Sequence, residues 1–184
     1  MALERVCLLC LLASGVITLK CDRIVQNQEN ENKRSRELLK EMGKPELPQE
    51  CPYEIPNFVF PMKKLLRSSK EDGRTAMMFI LEQISKIFQQ NFTQADWNVR
   101  VTAQLQEALY QQSVQWKRCC TAATGKEASF KDPRVKLSLL AYFRRIHTYL
   151  KDKKYSLCAW EAVRQETWKS CFVGLDQLLN KLQD

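Results

Sequence analysis

The chain has 184 residues, of which 27% are charged and 45% hydrophobic, and its formal net charge is +8. This length suits one domain or two small ones, and the composition excludes an intrinsically disordered chain. A basic surface is compatible with nucleic acid, heparin-like polymers or an acidic protein as partner. The basic residues are spread along the chain, apart from Lys151, Lys153 and Lys154, and no basic–aromatic interleaving indicates a nucleic-acid platform. We expect most of them to lie on solvated helix faces.

An uncharged apolar run from Val6 to Leu19 lies near the start of the chain. It is shorter than the roughly 20 residues that a bilayer-spanning helix needs, so it predicts a signal peptide, with a signal anchor as the alternative. Residues 1–20 are then removed and residues 21–184 form one secreted, extracellular domain. A second possible cleavage site lies at the small residues Ala13-Ser14-Gly15. No further run of spanning length follows, which argues against membrane insertion.

Five helical patterns follow, each with apolar residues at three- and four-residue spacing on one face. Leu, Glu, Gln, Lys and Arg are plentiful and glycine is scarce, which also favours helices. The predicted helices cover residues 24–42, 75–91, 96–118, 133–153 and 157–182. The aromatic residues on their apolar faces are predicted to be core residues: Trp97, Trp116, Trp160, Tyr142, Phe143 and Tyr149.

Capping residues mark several helix ends. Asp132 followed by Pro133 predicts the start of the fourth helix, and Asp96 and Ser156 are the predicted N-caps of the third and fifth. Residues 26–37, in the middle of the first helix, are very polar, so this helix has the least distinct apolar face.

A long connection separates the first two helices. Five of the six prolines fall between Pro45 and Pro61, after the predicted C-cap Gly43. Because proline blocks helix interiors, residues 43–72 are predicted to hold no regular helix. Connections of this length tend to be functional. Five helices, one long connection and almost no strand pattern together predict an all-α bundle.

The cysteines indicate disulfides rather than a metal site. Cys7 and Cys10 would leave with the signal peptide, and the six that remain are Cys21, Cys51, Cys119, Cys120, Cys158 and Cys171. An even number in a secreted chain favours disulfides, although many pairings are possible. A zinc site needs closely spaced ligands, which the chain lacks, and His147 is its single histidine. No enzyme motif occurs, so we expect no catalytic site, metal or cofactor.

One modification motif is present. Asn91-Phe92-Thr93 is an N-glycosylation sequon at a predicted helix end. Because sequons also arise by chance, an unmodified loop is the alternative.

The stretch KDKKYSLCAWEAVR, from Lys151 to Arg164, is far more specific than any short motif. It resembles the entry to the last helix of type I interferons, which carry KKYS, one further residue, CAWE and then a basic position. The preceding segment, with Tyr142-Phe143, Arg145-Ile146 and Tyr149-Leu150, is similar to the helix before it in that family.

Two further matches lie outside the last helix. Cys51 is followed by Phe58, Phe60 and Pro61, similar to the family's cysteine and later Phe-x-Phe-Pro in its long loop. Cys21 lies where the mature chain of the family often begins. The Pro-Gln-Glu-Cys run ending at Cys51, and Cys171 after Cys158, are also similar to the kappa branch.

The resemblance implies a five-helix, up-up-down-down type cytokine bundle with a long overhand loop after the first helix. It also implies a cytokine of innate immunity that bridges a two-chain receptor at the cell surface and triggers antiviral Janus kinase/STAT signalling. We expect a monomer, with a disulfide-linked dimer through an unpaired cysteine as an alternative. The competing hypotheses are another four-helix cytokine, a cationic helical protein that attacks membranes, and an enzyme.

The resemblance also implies a disulfide pattern. Cys51 corresponds to the family's loop cysteine and Cys158 to its partner in the last helix. Cys21 corresponds to the cysteine that pairs near the end of the third helix, where Cys119 and Cys120 are both candidates. The one left over pairs with Cys171 or stays unpaired.

For the high-affinity receptor chain, the resemblance implies contacts at Pro52 and Ile55 in the loop, although the family has a basic residue at the position of Ile55. On the last helix it implies contacts at Arg164, Gln165, Trp168, Lys169, Phe172 and Val173. Spacing by four places Arg164, Trp168 and Phe172 on one side, which we expect to be exposed. The alternative is that Trp168 and Phe172 complete a broad core.

For the low-affinity receptor chain, this sequence departs from the family. Leu140 stands where the family often has an arginine. Arg144 and Arg145, one turn further on, are expected to substitute for it, and the alternative is a solvated or structural role.

Overall fold

The computed structural model describes residues 2–44, 48, 51, 56–124 and 128–183, with side chains described from residue 21 onward except at 123 and 124. The helices are α1 (Ala2–Met42), α2 (Met62–Arg67), α3 (Lys70–Phe88), α4 (Val99–Thr124), α5 (Pro133–Asp152), α6 (Leu157–Glu166) and α7 (Phe172–Gln183). A 3-10 turn, Thr93–Ala95, precedes α4, and a π-helical turn, Thr167–Cys171, joins α6 to α7. None of the described residues lies in a strand.

The first helix is longer than predicted. It runs without a break from Ala2 to Met42, through the expected signal peptide, whose removal stays a prediction. Among the residues described, no helix is both long enough and apolar enough to cross a bilayer.

The end of the connection between the first two predicted helices is helical, which corrects the prediction for residues 43–72. It contains the short helix α2, and α3 begins at Lys70 rather than at residue 75. The last of the clustered prolines is Pro61, so nothing blocks a helix after it. The Ser69 hydroxyl caps α3 by accepting a hydrogen bond from the Asp72 amide at 3.0 Å.

Two of the three predicted N-caps are confirmed. Asp132 accepts a hydrogen bond from the Arg134 amide at 2.9 Å, and Ser156 accepts one from the Ala159 amide at 3.4 Å. The predicted N-cap at Asp96 is wrong, because the φ of this residue is 51°, which places it in the left-handed region at the end of the 3-10 turn. The Asn98 side chain performs the capping instead, accepting from the Val101 amide at 3.1 Å.

Contacts at both ends of the helices fix their directions. Cys21, where the described side chains of α1 begin, is bonded to Cys119 near the end of α4. Met42, the last residue of α1, accepts a hydrogen bond from the Asn98 amide just before α4. These two helices are therefore antiparallel.

The short link from α3 to α4 makes that pair antiparallel too. Asn32 of α1 bonds Asp176 of α7, whereas the later Leu39 bonds the earlier Arg164 of α6, so the last helix is antiparallel to α1. The bundle of α1, α3, α4 and α6–α7 is therefore up-up-down-down, as predicted, with α5 as the fifth helix.

The overhand loop crosses the outside of α5. Phe58 contacts the ring of Tyr149 edge-on at a centroid distance of 5.4 Å, and Phe60 contacts Tyr142 at 5.0 Å. A Cβ atom at Gly174 would overlap the Phe60 ring, so a glycine is required where the loop meets α7. The loop thus closes the bundle between α5 and the last helix.

The predicted aromatic core is confirmed. Trp97, Trp116, Trp160, Tyr142 and Phe143 are all buried, while Tyr149 is half-buried against the core. Trp97 lies between Trp160 and the rings at the end of α3, with a centroid distance of 5.6 Å to Trp160. These contacts join α3, the segment before α4 and α6 around one apolar centre.

The polar middle of α1 is also helical and faces α4. Gln28, Asn32 and Ser35 are buried there with Gln112. The Gln28 amide donates to Asn32 at 2.7 Å and to Gln112 at 2.8 Å, and Gln112 donates to the Ser35 hydroxyl at 2.9 Å. This polar interior satisfies its groups internally, so burying them carries little penalty.

Candidate functional site

Two disulfides hold the elements that carry the predicted contacts. Cys51 is bonded to Cys158, which confirms that prediction, and Cys21 is bonded to Cys119 rather than to Cys120. Successive helical side chains point about 100° apart, so two adjacent cysteines cannot both face α1. The first bond ties the overhand loop to α6, and the second ties α1 to α4.

Cys120 and Cys171 are buried thiols. Burial raises the pKa of Cys120 to about 11 and also raises the pKa of Cys171. The Cys171 Sγ lies 3.1 Å from the Tyr142 hydroxyl, and its side chain is fully buried. Because the thiolate is the reactive form, neither group is well placed to link two molecules.

Arg164 is a structural residue, which corrects the expectation that it is exposed on a receptor-binding face. It is only 4% exposed and forms a buried ion pair with Glu161 at 2.7 Å. Its two terminal nitrogens also donate to the Leu39 carbonyl and the Lys44 carbonyl, each at 2.7 Å. The guanidinium therefore satisfies a carbonyl in the last turn of α1 and fastens the start of the overhand loop.

The partner carboxylate joins this junction to the core. The Trp97 indole N–H donates to Glu161 Oε1 at 2.5 Å. Glu161 thus accepts hydrogen bonds from Trp97, in the segment before α4, and from Arg164 in its own helix. A Cβ at Gly43 would lie 2.7 Å from Arg164 Nε and 2.8 Å from Glu161 Oε1. Gly43 is therefore needed for the close approach of the chain to the ion pair.

Phe172 is also buried, which corrects the second part of the same expectation. Spacing by four does not keep it on the outer side, because the π-helical turn Thr167–Cys171 inserts an extra residue into the helix. The core is consequently faced by three residues, each of them fully buried: Thr167, Cys171 and Phe172. The sequence offered a signal in Cys171-Phe172, two apolar residues in line with Leu175 and Leu178.

Of the contacts predicted on this helix, those that are not buried surround the π-helical turn. Lys169 is exposed, and Trp168 and Val173 are half-buried. The Lys169 ammonium donates to Gln165 Oε1 at 3.0 Å, while the rest of Gln165 is buried. We name Trp168, Lys169 and Val173 the terminal-helix patch.

Arg145 holds the loop rather than facing solvent alone. Its guanidinium donates to the Phe58 carbonyl at 2.8 Å and to the Val59 carbonyl at 3.1 Å. Val59 is 60% exposed with a φ of 54°, an unusual conformation for a β-branched residue. Arg145 thus supports Val59 in a strained and exposed conformation of the loop.

The outward side of α5 carries an apolar pair and a cation. Leu137 and Leu140 are 62% and 41% exposed, and Arg144 is exposed one turn beyond Leu140. Leu137 is not among the predicted receptor contacts. Its position outside the helical spacing of the buried residues is nevertheless visible in the sequence, and these buried residues are Val135, Leu139, Phe143 and Ile146. We name Leu137, Leu140 and Arg144 the α5 patch.

Two predicted loop contacts, Pro52 and Ile55, lie outside the described residues. The glycosylation sequon is described, and Asn91 is exposed after α3. Its side-chain oxygen accepts from the Thr93 amide at 3.0 Å in a tight turn. The site is therefore open to solvent, as modification requires.

Nothing in the described part of the chain is arranged for metal chemistry, since no three His, Cys, Asp or Glu side chains are grouped to hold an ion. His147 is half-buried, and burial lowers its pKa. Its Nδ1 lies 3.3 Å from the Gln90 amide nitrogen, which links α5 to the end of α3. The contact between His147 and Gln90 is therefore structural.

Comparison with known proteins assigns the family. A sequence profile described as "Interferon alpha/beta domain" matches residues 24–182. Interferon beta of Tachyglossus aculeatus aculeatus is 32% identical over 154 residues, covering 83% of this chain and 81% of that protein. Interferon omega-1 of Homo sapiens is 32% identical over 164 residues, covering 88% and 83%. Interferon epsilon of Homo sapiens is 31% identical over 172 residues, covering 89% and 80%.

Solved structures agree on the fold. Zebrafish interferon 1 superposes with a TM-score of 0.73 at 20% identity, covering 87% of this chain and 99% of that one. Zebrafish interferon 2 gives a TM-score of 0.65 at 27% identity, covering 84% and 97%. The relatives include several branches, so the kappa assignment stays a prediction. The profile match and the relatives together show that this chain belongs to the type I interferon family, a cytokine family and not one of enzymes.

Proposed function

We propose that the chain is secreted after loss of residues 1–20 and bridges two receptor chains at the cell surface, which activates Janus kinases and STAT factors in an antiviral response. Family membership supports this proposal. The observation that carries it is that bulky apolar groups beside cations remain partly or largely exposed on the helices. The terminal-helix patch and the α5 patch both have this composition, and aromatic and arginine side chains are common interface anchors.

The high-affinity receptor chain is assigned to the terminal-helix patch together with the loop after Cys51. Trp168 offers a large side chain that is half-buried, so it is pre-ordered and loses little entropy on binding. Lys169 adds a cation at the rim. Pro52 and Ile55 stay in the proposed site, whereas Arg164, Gln165 and Phe172 are withdrawn as direct contacts because they are buried.

The low-affinity receptor chain is assigned to the α5 patch. Arg144 is the direct cation there, and Leu137 and Leu140 supply the apolar contact. Arg145 acts through the loop, because its guanidinium is bonded to two loop carbonyls. Replacing Arg144 by Ala should weaken signalling with no change in melting temperature, whereas replacing Arg145 by Ala should lower both.

The test is to treat interferon-competent cells with purified mature protein. STAT phosphorylation that soluble receptor ectodomain blocks is the expected result. Trp168→Ala and Lys169→Ala should each reduce receptor affinity, and Tyr110→Ala, which removes an exposed aromatic from α4, is the matched control. Liposome leakage without receptor-dependent signalling would favour a membrane-active protein instead and would overturn the proposal.

A further inference from the structure

Basic residues that are distant in the sequence meet at one end of the bundle. The end of α2, the first turn of α3 and the start of α5 all lie there. The Asp72 carboxylate connects α3 to the residues before α5, accepting from the Lys131 amide at 2.7 Å and from the Asp132 amide at 3.2 Å. The two residues Ser68 and Ser69 join α2 to α3. The basic side chains that these three elements present are Lys63, Lys64, Arg67, Lys70, Arg134 and Lys136, which we name the basic end.

Most of this positive charge is uncompensated. Among the described residues, the acidic groups here are Glu71, Asp72 and Asp132, and Asp72 is buried. Glu71 pairs with Lys131 at 2.5 Å, and Asp132 pairs with Arg134 at 3.0 Å. No ion pair of the described residues involves Lys63, Lys64, Arg67, Lys70 or Lys136.

Part of the surface beside these side chains is concave. A shallow groove of about 630 Å³ runs between the α2–α3 link and the start of α5, and its lining includes Arg67, Lys131 and Arg134 as well as Asp72 and Asp132. Because Arg134 and Asp132 neutralise each other, Arg67 is the unpaired cation of the groove among the described residues, and the other unpaired cations lie around it on the same three elements. Such a spread of exposed positive charge matches the repeating charges of a linear polyanion. Such a patch also raises the local concentration of the polymer before contact.

We propose that the basic end binds a sulfated polysaccharide of the cell surface or extracellular matrix. This choice among polyanions rests on the proposed secretion. Among the described residues, the exposed aromatic side chains are Tyr110 on α4 and Tyr155 after α5, so no exposed ring of the described basic end offers a platform on which single-stranded nucleic acids stack. Its exposed apolar groups are single leucines, Leu66 and Leu137, which is less than an interfacial helix inserts into lipid.

The experiment compares the full mature protein with two variants that each lose three positive charges. Lys63→Gln/Lys64→Gln/Arg67→Gln removes three charges from the basic end. Lys151→Gln/Lys153→Gln/Lys154→Gln removes three from the other end of α5, roughly 25 Å away at the rise of a helix. All six side chains are exposed, so folding should be retained, and circular dichroism checks it.

Binding to immobilised heparin is measured as a function of salt. We expect the basic-end variant to bind about tenfold more weakly and to elute at lower salt, with the control variant close to the parent, because counterion release scales with the charges engaged. Lys70→Gln/Lys136→Gln, on α3 and α5, should also weaken binding. Equal losses in the two triple variants would overturn the proposal, since they would reflect net charge alone.

Further arms separate the ligand classes and the two proposals. Desulfated heparin should bind poorly, and tighter binding to RNA or to phosphatidylserine vesicles than to heparin would overturn the assignment. STAT phosphorylation by the basic-end variant on cells without sulfated polysaccharides should equal that of the parent. Loss of heparin binding with retained signalling supports this inference, whereas failed signalling by the parent would concern the proposed function only.

Discussion

The interior of the bundle has two halves of different chemistry. Between α3, α5 and α6 it is apolar, with Phe88, Phe143 and Trp160 fully or almost fully buried. The middle of the contact between α1 and α4 consists of amide and hydroxyl groups, with Gln28 and Gln112 at its centre. The apolar half is stabilised by the area it removes from water and tolerates many arrangements. The polar half is stable only while each donor faces its acceptor, so it specifies the register of α1 on α4 more strictly.

The largest effect on this contrast is expected from the buried ion pair between Arg164 and Glu161, which places charge inside the apolar half. Arg164→Ala should lower the free energy of unfolding by about 3–5 kcal/mol, since it leaves the Glu161 carboxylate buried without its cation. Thermal or urea unfolding measures this. The double variant Arg164→Met/Glu161→Leu should recover part of the loss. A single variant that unfolds like the parent would contradict the structural role of Arg164.

The apolar half could be predicted from the sequence, and the polar half could not. Leu139, Phe143 and Ile146 recur at helical spacing, and spacing alone indicates their side. Gln28, Asn32 and Ser35 have the same spacing, but polar residues at such positions usually face solvent, and their partner Gln112 lies 84 residues after Gln28. Burial of a polar residue depends on a partner from another helix, which a single helix pattern does not contain.

The candidate site shows the same limit. The disulfide Cys51–Cys158 and the location of the terminal-helix patch followed from the resemblance. The burial of Arg164 and Phe172 did not, because it depends on a π-helical turn and on the carbonyls of Leu39 and Lys44. Local spacing assumes a regular α-helix, and one inserted residue moves every later side chain around the axis.

The two disulfides sharpen the comparison, because one belongs to each half and they close loops of similar size. The sequence separations are 98 residues for Cys21–Cys119 and 107 for Cys51–Cys158. In the chain-entropy model, removing either should cost about 2–5 kcal/mol, and the two costs should differ by only about 0.1 kcal/mol. Chemical unfolding of Cys21→Ser/Cys119→Ser and Cys51→Ser/Cys158→Ser gives both values.

A larger gap between these two variants would show that the native environment contributes. A greater loss at Cys51–Cys158 would mean that the bond also holds the overhand loop on α5. The single variant Cys171→Ala is the control, because that thiol is outside the disulfides and should cost less than either pair.

Inside the polar half, a double-mutant cycle on Gln28 and Gln112 should find strong coupling. Gln28→Ala removes two donated hydrogen bonds and the acceptor at 2.5 Å from the Trp116 indole N–H, which should cost about 1–3 kcal/mol. The double variant should cost less than the two single losses together, by about 0.5–3 kcal/mol. Additive losses would mean that water replaces these contacts and that the interior is not closed there.

The smallest effect is expected where the polar half reaches solvent. Asp176 accepts from Asn32 at 2.8 Å and from Arg36 at 3.0 Å, but the Arg36 and Asp176 side chains are 37% and 33% exposed. Water competes for both groups, so Arg36→Ala should cost no more than about 1 kcal/mol, and salt should reduce that cost. Asn32→Ala removes the buried partner of the same carboxylate and should cost more than Arg36→Ala in urea unfolding at low and high salt. If the order were reversed, the charge on the rim rather than the satisfied amides within would hold α1 to α7.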